Sequence, residues 1–457
     1  MLTVVTIDTP ELGDRSYLVH DGEVALVVDP QRDIERITSV ADAAGVRITH
    51  VAETHIHDDY VSGGLALASR AGAFYLLSSA EDVSFEHVGV AAGDVISTGE
   101  LTVAVAATPG HTPTHLSYVV SNGAAPAVVF TGGSLLHGAV GRPDLSDPDP
   151  FETRRMSATQ LASVRRLAEI VGADSLVYPT HGFGGYCASA PRPAVRTRTV
   201  AEEQADNPAF SGDDDATLIE RMVGGIVEPP PYYSRVSLIN RLGAGPSCVS
   251  APRQMTRSEL FGRVANEDEY VIDIRVRRAF AKSHLYGSVS FEHHAAFAMF
   301  VGSVIPPEAT ISLLGESAAQ VGRAVVDLAR LGIDEIAGAA IGAPEQLSGA
   351  DGISSIEVSD FTGLAKAMIE EDLVVLDVRR GEEWRAGHLD GATHLYLADL
   401  PQRIDDVPPG PVWVHCSTGC RASIATSLLE RSGRSVVLVD DDWPNARQAG
   451  FDIVRSY

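Results

Sequence analysis

Along the first 200 residues, apolar runs alternate with short polar stretches punctuated by glycine. SYLVHDGEVALVVDP (16–30), LTVAVAATP (101–109) and APAVVFTGG (125–133) are rich in valine and alanine and end in Gly, Pro or Asp. That pattern predicts buried strands closed by turns, with short helical patterns between them. Around 201–250 the texture changes to DNPAFSGDDD, EPPPYYSR and GAGPSCVSAPRQ. Clusters of proline, glycine and acid of this kind predict surface crossings and linkers.

From residue 256 onward one pattern appears twice. VIDIRVRRAFAKSHLYG (271–287) and VLDVRRGEEWRAGHLDG (375–391) share Asp273/Asp377, Arg275/Arg379, His284/His388 and Gly287/Gly391 at a constant offset of 104. QVGRAVVDLARLG (320–332) matches RASIATSLLERSG (421–433) at an offset of 101. A duplicated α/β domain of short buried strands alternating with helices follows.

Composition narrows the class. The 457 residues exceed one ordinary domain, and hydrophobic content of 45% suffices for several cores. With 35 Lys plus Arg against 61 Asp plus Glu, the net charge of −26 argues against nucleic acid and anionic membrane surfaces, both polyanions. Four cysteines (Cys187, Cys248, Cys416, Cys420) are too few for a disulfide scaffold. The N-terminus shows no signal-peptide pattern and no stretch has the apolar length of a membrane span, so a cytoplasmic protein is expected.

Two of the four cysteines fall in one loop, CSTGCR (416–421), between the apolar strand PVWVH and the helix pattern ASIATSLLERSG, expected to be amphipathic and ended by Gly433. A strand–loop–helix gathers backbone N–H groups and the positive helix end around the first loop residue. Cys416 therefore sits where a thiolate nucleophile is favoured, with Arg421 adding positive charge. A small buried core cysteine is the plainer alternative. The loop resembles that of the rhodanese sulfurtransferases, C-x-x-G-x-R, through Cys416, Gly419 and Arg421. Tyrosine phosphatases carry five residues between cysteine and arginine, and this loop carries four. Asp377, Arg379 and GHLDGA (387–392) match rhodanese signatures as well. The resemblance implies Cys416 and Arg421 as catalytic residues, with Ser417, Thr418, Gly419 and Cys420 as the cradle for a sulfur anion. Cys420 either resolves a persulfide on Cys416 or fills a free position. In the first copy the same loop reads GESAAQ, with Gly315 for Cys416 and Gln320 for Arg421, so that copy resembles an inactive rhodanese domain.

Histidines cluster in turns after strands: ETHIHDDYVSGG (53–64), TPGHTPTHLSY (108–118) and YPTHGFGGY (178–186). His55 and His57, one residue apart with Asp59 close by, can aim at a common point, and a metal site is the expected use. These stretches resemble the metallo-β-lactamase superfamily, whose first motif is T-H-x-H-x-D-H. Thr54, His55, His57 and Asp59 match it, Tyr60 replaces the last histidine, and His111 and His181 match the later metal histidines. FTGGSLLHGAVGRPDL (130–145) resembles the F-T-G-D…G-R-x-D region of glyoxalase II and the persulfide dioxygenases, with Gly133 at the metal-binding aspartate.

The resemblances imply an αββα metallo-β-lactamase sandwich (1–245), a degenerate rhodanese domain (256–348) and a rhodanese domain with its cysteine (356–457). They imply metal ligation by His55, His57, Asp59, His111 and His181 around one Fe2+, with Zn2+ the alternative. His57, Asp59 or a water would replace the missing aspartate. A site without metal stays open, as does a hydrogen-bonding or packing role for Tyr60. The implied function is oxidation of a low-molecular-weight thiol persulfide coupled to sulfur transfer through Cys416, with thiosulfate and sulfite as related species. A glyoxalase II-like zinc thioester hydrolase and a metal-free scaffold are the alternatives. The resemblance also allows a homo-oligomer through the metallo-domain.

Overall fold

The computed structural model describes residues 2–123, 126–184, 197–246, 249–266, 268–345, 352–370 and 372–455. Cys187 and Cys248 lie outside them, as do the ends of the expected second and third domains and the last two residues of YPTHGFGGY. The chain forms two compact units, Met1–Cys248 with Ala329–Gly332, and Val249–Leu328 with Ile333–Tyr457. Among the described residues no helix is long and apolar enough to cross a membrane.

The first unit holds two six-stranded sheets. One runs in chain order from Thr3–Thr9 through Asp14–His20, Val24–Val28, Arg47–Ala52 and Phe74–Ser78 to Val88–Val90. It is antiparallel in its first three strands and parallel thereafter. The other sheet orders Arg198–Thr199, Leu176–Pro179, Val128–Gly132, Leu116–Ser121, Leu101–Ala107 and Val95–Thr98. Alternating side chains place Tyr17, Leu26, Val28, Leu76, Val103, Tyr118 and Phe130 in one shared core. The opposite face of the first sheet packs under the helices Ile34–Ala44 and Gly64–Ala71, and the helix Pro150–Val171 shares a core with Val177 of the second sheet. The result is the expected four-layer αββα sandwich. Its chemistry gathers beyond strand ends: His55 and His57 follow Arg47–Ala52, His111 follows Leu101–Ala107, Gly133 follows Val128–Gly132, and His181 follows Leu176–Pro179.

The stretch 201–250, expected as crossings and linkers, carries the helices Val200–Asp206, Asp215–Gly224 and Tyr233–Leu242. Thr199, just before the stretch, caps the first helix in a capping box with Glu202, and Asp214 of the acidic cluster caps the second.

The second unit contains both copies of the repeat. The first copy builds a parallel sheet ordered Val289–Ser290, Glu269–Asp273, Thr310–Gly315 and Ile336–Ile341. The other builds Thr393–His394, Val374–Asp377, Val412–His415, Val436–Val439 and Glu357–Ser359, again parallel. Four strands follow the same order in both sheets, and the fifth, Glu357–Ser359, is matched in the first sheet only by a single pairing of Gln254 with Ala339. One expectation fails: the helix Cys420–Arg431 is not amphipathic in use, because every residue from Ala422 to Leu429 is buried. Ser423 and Ser427 are interior because the first copy covers that face, with Ser290 N–H donating to Ser427 Oγ at 2.9 Å and Ser290 Oγ 2.9 Å from Ser423 Oγ.

Candidate metal centre and sulfur loop

In the first unit five buried imidazoles meet. His55 lies 4.2 Å from His57, 4.8 Å from His111, 4.9 Å from His115 and 5.3 Å from His181, ring centroid to centroid. Hydrogen bonds fix which nitrogen of each faces the others. Thr54 Oγ1 donates its only proton to Asp29 Oδ2 (2.9 Å), so at 2.9 Å from His55 Nδ1 it accepts, which leaves the His55 Nε2 lone pair free. His111 Nδ1 donates to the Arg142 carbonyl at 2.8 Å, and His181 Nδ1 donates to Asp14 Oδ1 at 2.8 Å with Asp59 Oδ2 at 3.2 Å. Their Nε2 atoms are thereby released for another partner. His57 is turned the other way. Its Nε2 faces Tyr60 Oη (2.9 Å), Glu53 Oε2 (3.2 Å) and Asp29 Oδ1 (3.3 Å), and its buried Nδ1 has no hydrogen-bond partner.

The donor atoms of His55, His57 and His181 all lie within 4.8 Å of one another, and the Nε2 atoms of His55 and His181 are 3.3 Å apart. Metal–imidazole bonds of about 2.0–2.1 Å put adjacent ligand atoms roughly 3.0–3.4 Å apart, so this spacing suits one ion. The orphaned His57 Nδ1 is a second sign of fit. Burial and the neighbouring imidazoles hold His55 well below its ordinary pKa, and burial and His181 hold His111 at about 3. Burial would depress His57 too, but Asp29 and Glu53 lift it to about 10, while Asp59 and Asp14 lift His181 well above the usual range. A cation would replace the proton shared along His181–His55 and the one on His57 Nδ1.

Of the residues expected to ligate, Asp59 groups with Asp14 and His181 rather than with the imidazole triad. His111 abuts the triad and packs against Gly133, the position of the missing aspartate. A Cβ at Gly133 would lie 2.1 Å from His111 Cδ2 and 2.4 Å from its Nε2. The glycine thus accommodates the His111 ring. Tyr60 is fully buried and donates to the Asp29 carbonyl at 3.2 Å while receiving His57.

Sequence reasoning missed His115, Asp14, Asp29 and Glu53. Asp29 is the hub: its carboxylate accepts from Thr54 N–H at 2.7 Å, from the Thr54 and Thr180 hydroxyls and from His57. It also holds a left-handed φ of 50°, a strained conformation for a non-glycine residue. The aspartate ending the apolar run VALVVDP was the available signal. His115 accepts Gly133 N–H at Nε2 (3.1 Å), four residues after His111 in the same turn.

In the second unit the loop Cys416–Arg421 joins Val412–His415 to the helix Cys420–Arg431. Cys416 is 1% exposed, a burial that the alternative of a small core cysteine also expects. Arg421 is not a free cation. Glu383 holds it bidentately at 2.6 and 2.8 Å, and Ser417 Oγ adds a 2.9 Å contact while donating to Glu383 at 2.6 Å. Burial raises the carboxyl of Glu383, yet Arg421 and Ser417 hold it down at about 2. Burial and the nearby Cys416 push Cys420 up to about 12, which keeps it a thiol. Gly419 has φ 84°, and a Cβ there would lie 2.1 Å from Asp440 Oδ1. The glycine of the loop is therefore required twice over.

A two-sheet αββα sandwich with histidines beyond its strand ends, joined to a strand–cysteine-loop–helix domain, defines the class. The chain belongs to the metallo-β-lactamase superfamily and carries a rhodanese-like domain at residues 362–449. Its first part is 28% identical over 205 residues to the human mitochondrial persulfide dioxygenase ETHE1, covering 43% of this chain and 71% of that protein. It is 30% identical over 232 residues to the hydroxyacylglutathione hydrolase of Maricaulis maris, covering 45% of this chain and 86% of the relative. A crystal structure of a metallo-β-lactamase from Staphylococcus aureus is similar with a TM-score of 0.65 at 26% identity, covering 75% of this chain and 98% of that one.

Proposed function

We propose that this protein is an enzyme of sulfur metabolism that oxidises a low-molecular-weight thiol persulfide in its first unit and transfers sulfur through Cys416 in its second. The observation that carries the reading is the grouping of one buried donor nitrogen each from His55, His57 and His181 within 4.8 Å, with His55 Nε2 and His181 Nε2 3.3 Å apart. Those three residues, with His111 beside them, would hold one Fe2+. When bound, the ion supplies activation of O2 and of the persulfide sulfur. The protein's own part is positional. Asp29, Thr54, Asp14 and the Arg142 carbonyl set the imidazole orientations, and the buried surround excludes bulk water. A cavity of about 580 Å3, lined by Ile56, Asp58, Thr112, Tyr233 and Arg241, includes the chain neighbours of His55, His57 and His111 and offers a place for the thiol carrier.

At the second site the Cys416 sulfur attacks the outer sulfur of a donor. The Cys416–sulfur bond forms as the donor's bond breaks, and the donor leaves as thiolate or sulfite. An acceptor thiolate then takes that sulfur and Cys416 returns as thiolate, so no external oxidant or reductant enters. Arg421, held by Glu383, orders the loop around this exchange.

Metal analysis of anaerobically purified protein, with O2 uptake on a thiol persulfide, tests the first half. One iron per chain and persulfide-dependent uptake are expected; iron-free protein without uptake removes the oxygenase reading. The similarity to hydroxyacylglutathione hydrolases supports a second reading, zinc-dependent thioester hydrolysis, which predicts zinc and oxygen-independent turnover. Gly133 weighs against it, because a glycine supplies no bridging carboxylate for a two-metal site.

A further inference from the structure

The first rhodanese copy lost its own nucleophile, yet its side chains reach the loop of the other copy. Arg277 Nε bonds Asp440 Oδ1 at 2.7 Å, Arg278 Nε bonds Asp440 Oδ2 at 2.6 Å, and Arg277 Nη2 donates to the Thr418 carbonyl at 3.2 Å. Glu292 fixes Arg277 from behind at 2.8 Å. Asp440 is the residue that presses on Gly419. From the same copy, His294 Nδ1 accepts Ala296 N–H at 3.0 Å, which places the ring proton on Nε2, where it donates to Cys420 Sγ at 2.9 Å. Offsetting Arg277 by 104 gives Gly381, so this arginine is no relic of the shared pattern.

We infer that Arg277 is a positioning residue for the Cys416 loop, acting through the Thr418 carbonyl and Asp440, and that the sulfur-transfer site is a composite of both copies. The inference rests on the sulfur-transfer half of the proposed function. Its physical basis is the planar trans peptide. Within that plane a carbonyl and the following N–H point in opposite directions. Trp443 N–H holds the Ser417 carbonyl at 2.9 Å, and Arg277 holds the Thr418 carbonyl. The N–H groups of Thr418 and Gly419 are thereby turned away from those holders, toward the side on which an anion on Cys416 would be received. His294 secures the far end of the loop at Cys420. The same contacts account for the burial of Cys416: the loop is held closed over its sulfur.

The test compares Arg277→Ala, Arg277→Lys, Asp440→Asn and the Arg277→Ala/Asp440→Asn pair in the full-length protein. Arg277→Ala should lower kcat for persulfide-to-thiol sulfur transfer about tenfold with KM little changed, since a misplaced cradle costs rate and not encounter. It should also raise the rate of iodoacetamide labelling of Cys416, followed by peptide mass spectrometry, by about tenfold as the loop opens more often. Lysine at 277 should recover part of both effects, and the paired variant should be no worse than the larger single effect. Wild-type kcat and labelling in Arg277→Ala, or fully additive effects in the pair, would overturn the inference. If a variant unfolds, seen as lost cooperativity in urea, Arg277→Lys and His294→Asn carry the comparison. Wild-type protein without sulfur transfer defeats the proposed function instead, and the labelling rates then decide the positioning role alone.

Discussion

The two copies of the repeat in the second unit are the same at one end of their sheets and different at the other. In each, an aspartate and the arginine two residues on make a buried bidentate pair. Arg275 bonds Asp273 at 3.0 and 2.6 Å, and Arg379 bonds Asp377 at 3.0 and 2.6 Å. Each arginine also donates to a backbone carbonyl at 2.8 Å, that of Ser283 or Gly387. Each histidine stacks on an aromatic ring, His284 on Phe280 and His388 on Trp384. At the loop the likeness ends. Where Arg421 meets Glu383, Gln320 bonds the Ile274 carbonyl and the Glu316 N–H, and the position matching Glu383 is Ala279. The Asp–Arg–His frame is present also in the copy that lacks the cysteine and arginine of the loop, so its geometry does not depend on them. The part that varies with chemistry is the loop and its carboxylate.

Experiments can break or sharpen that contrast. The largest effect belongs to Cys416→Ser, which should drop sulfur transfer at least about 10³-fold while metal content stays unchanged. Next, Asp377→Ala and Asp273→Ala should each cost about 3–5 kcal/mol in urea unfolding, because each strands a buried arginine. A much smaller loss in the first copy would end the claim that the pair is structural in both. The metal centre extends the same rule: Gly133→Asp should weaken metal binding about 10–100-fold, measured by titration with a chelator competitor, since its Cβ collides with His111. Tighter binding would show that the ring gives way.

Glu383→Gln gives a smaller, pH-dependent change. Its carboxyl is held at about 2, below the ordinary 4.5, so the pair with Arg421 contributes stability above about 4.5 and loses it as pH falls toward 2. The substitution should cost about 1–3 kcal/mol at neutral pH and flatten the acid-unfolding profile in that window. The smallest effect is a null one. Gly315→Cys with Gln320→Arg, made in a Cys416→Ser background, should leave sulfur transfer at background, because Ala279 offers the new arginine no carboxylate.

Much of this was legible in the chain. The offsets of 104 and 101 exposed the duplication, CSTGCR located the cysteine loop, and ETHIHDDY with His111 and His181 located the imidazole cluster. Those signals are local, a few residues in fixed spacing. What stayed hidden depends on residues far apart in sequence. Glu383 neutralises an arginine 38 positions away, and Arg277 holds an aspartate 163 positions away. Nor could spacing reveal that the His111 ring packs directly against Gly133. The all-round burial of Ala422–Leu429 escaped because two serines in a helix read as a wet face until a second sheet is known to lie over them.

That helix also governs how far the chain could be shortened. A truncated protein starting near residue 356 would still carry the nucleophile and all of its immediate loop. It would nevertheless leave Ser423 and Ser427 facing solvent and deprive Glu430 of the His284 and Ser354 contacts, both at 2.6 Å, that the deleted half provides. The first copy is thus part of the last one's packing, through His284, Ser290 and Ser354.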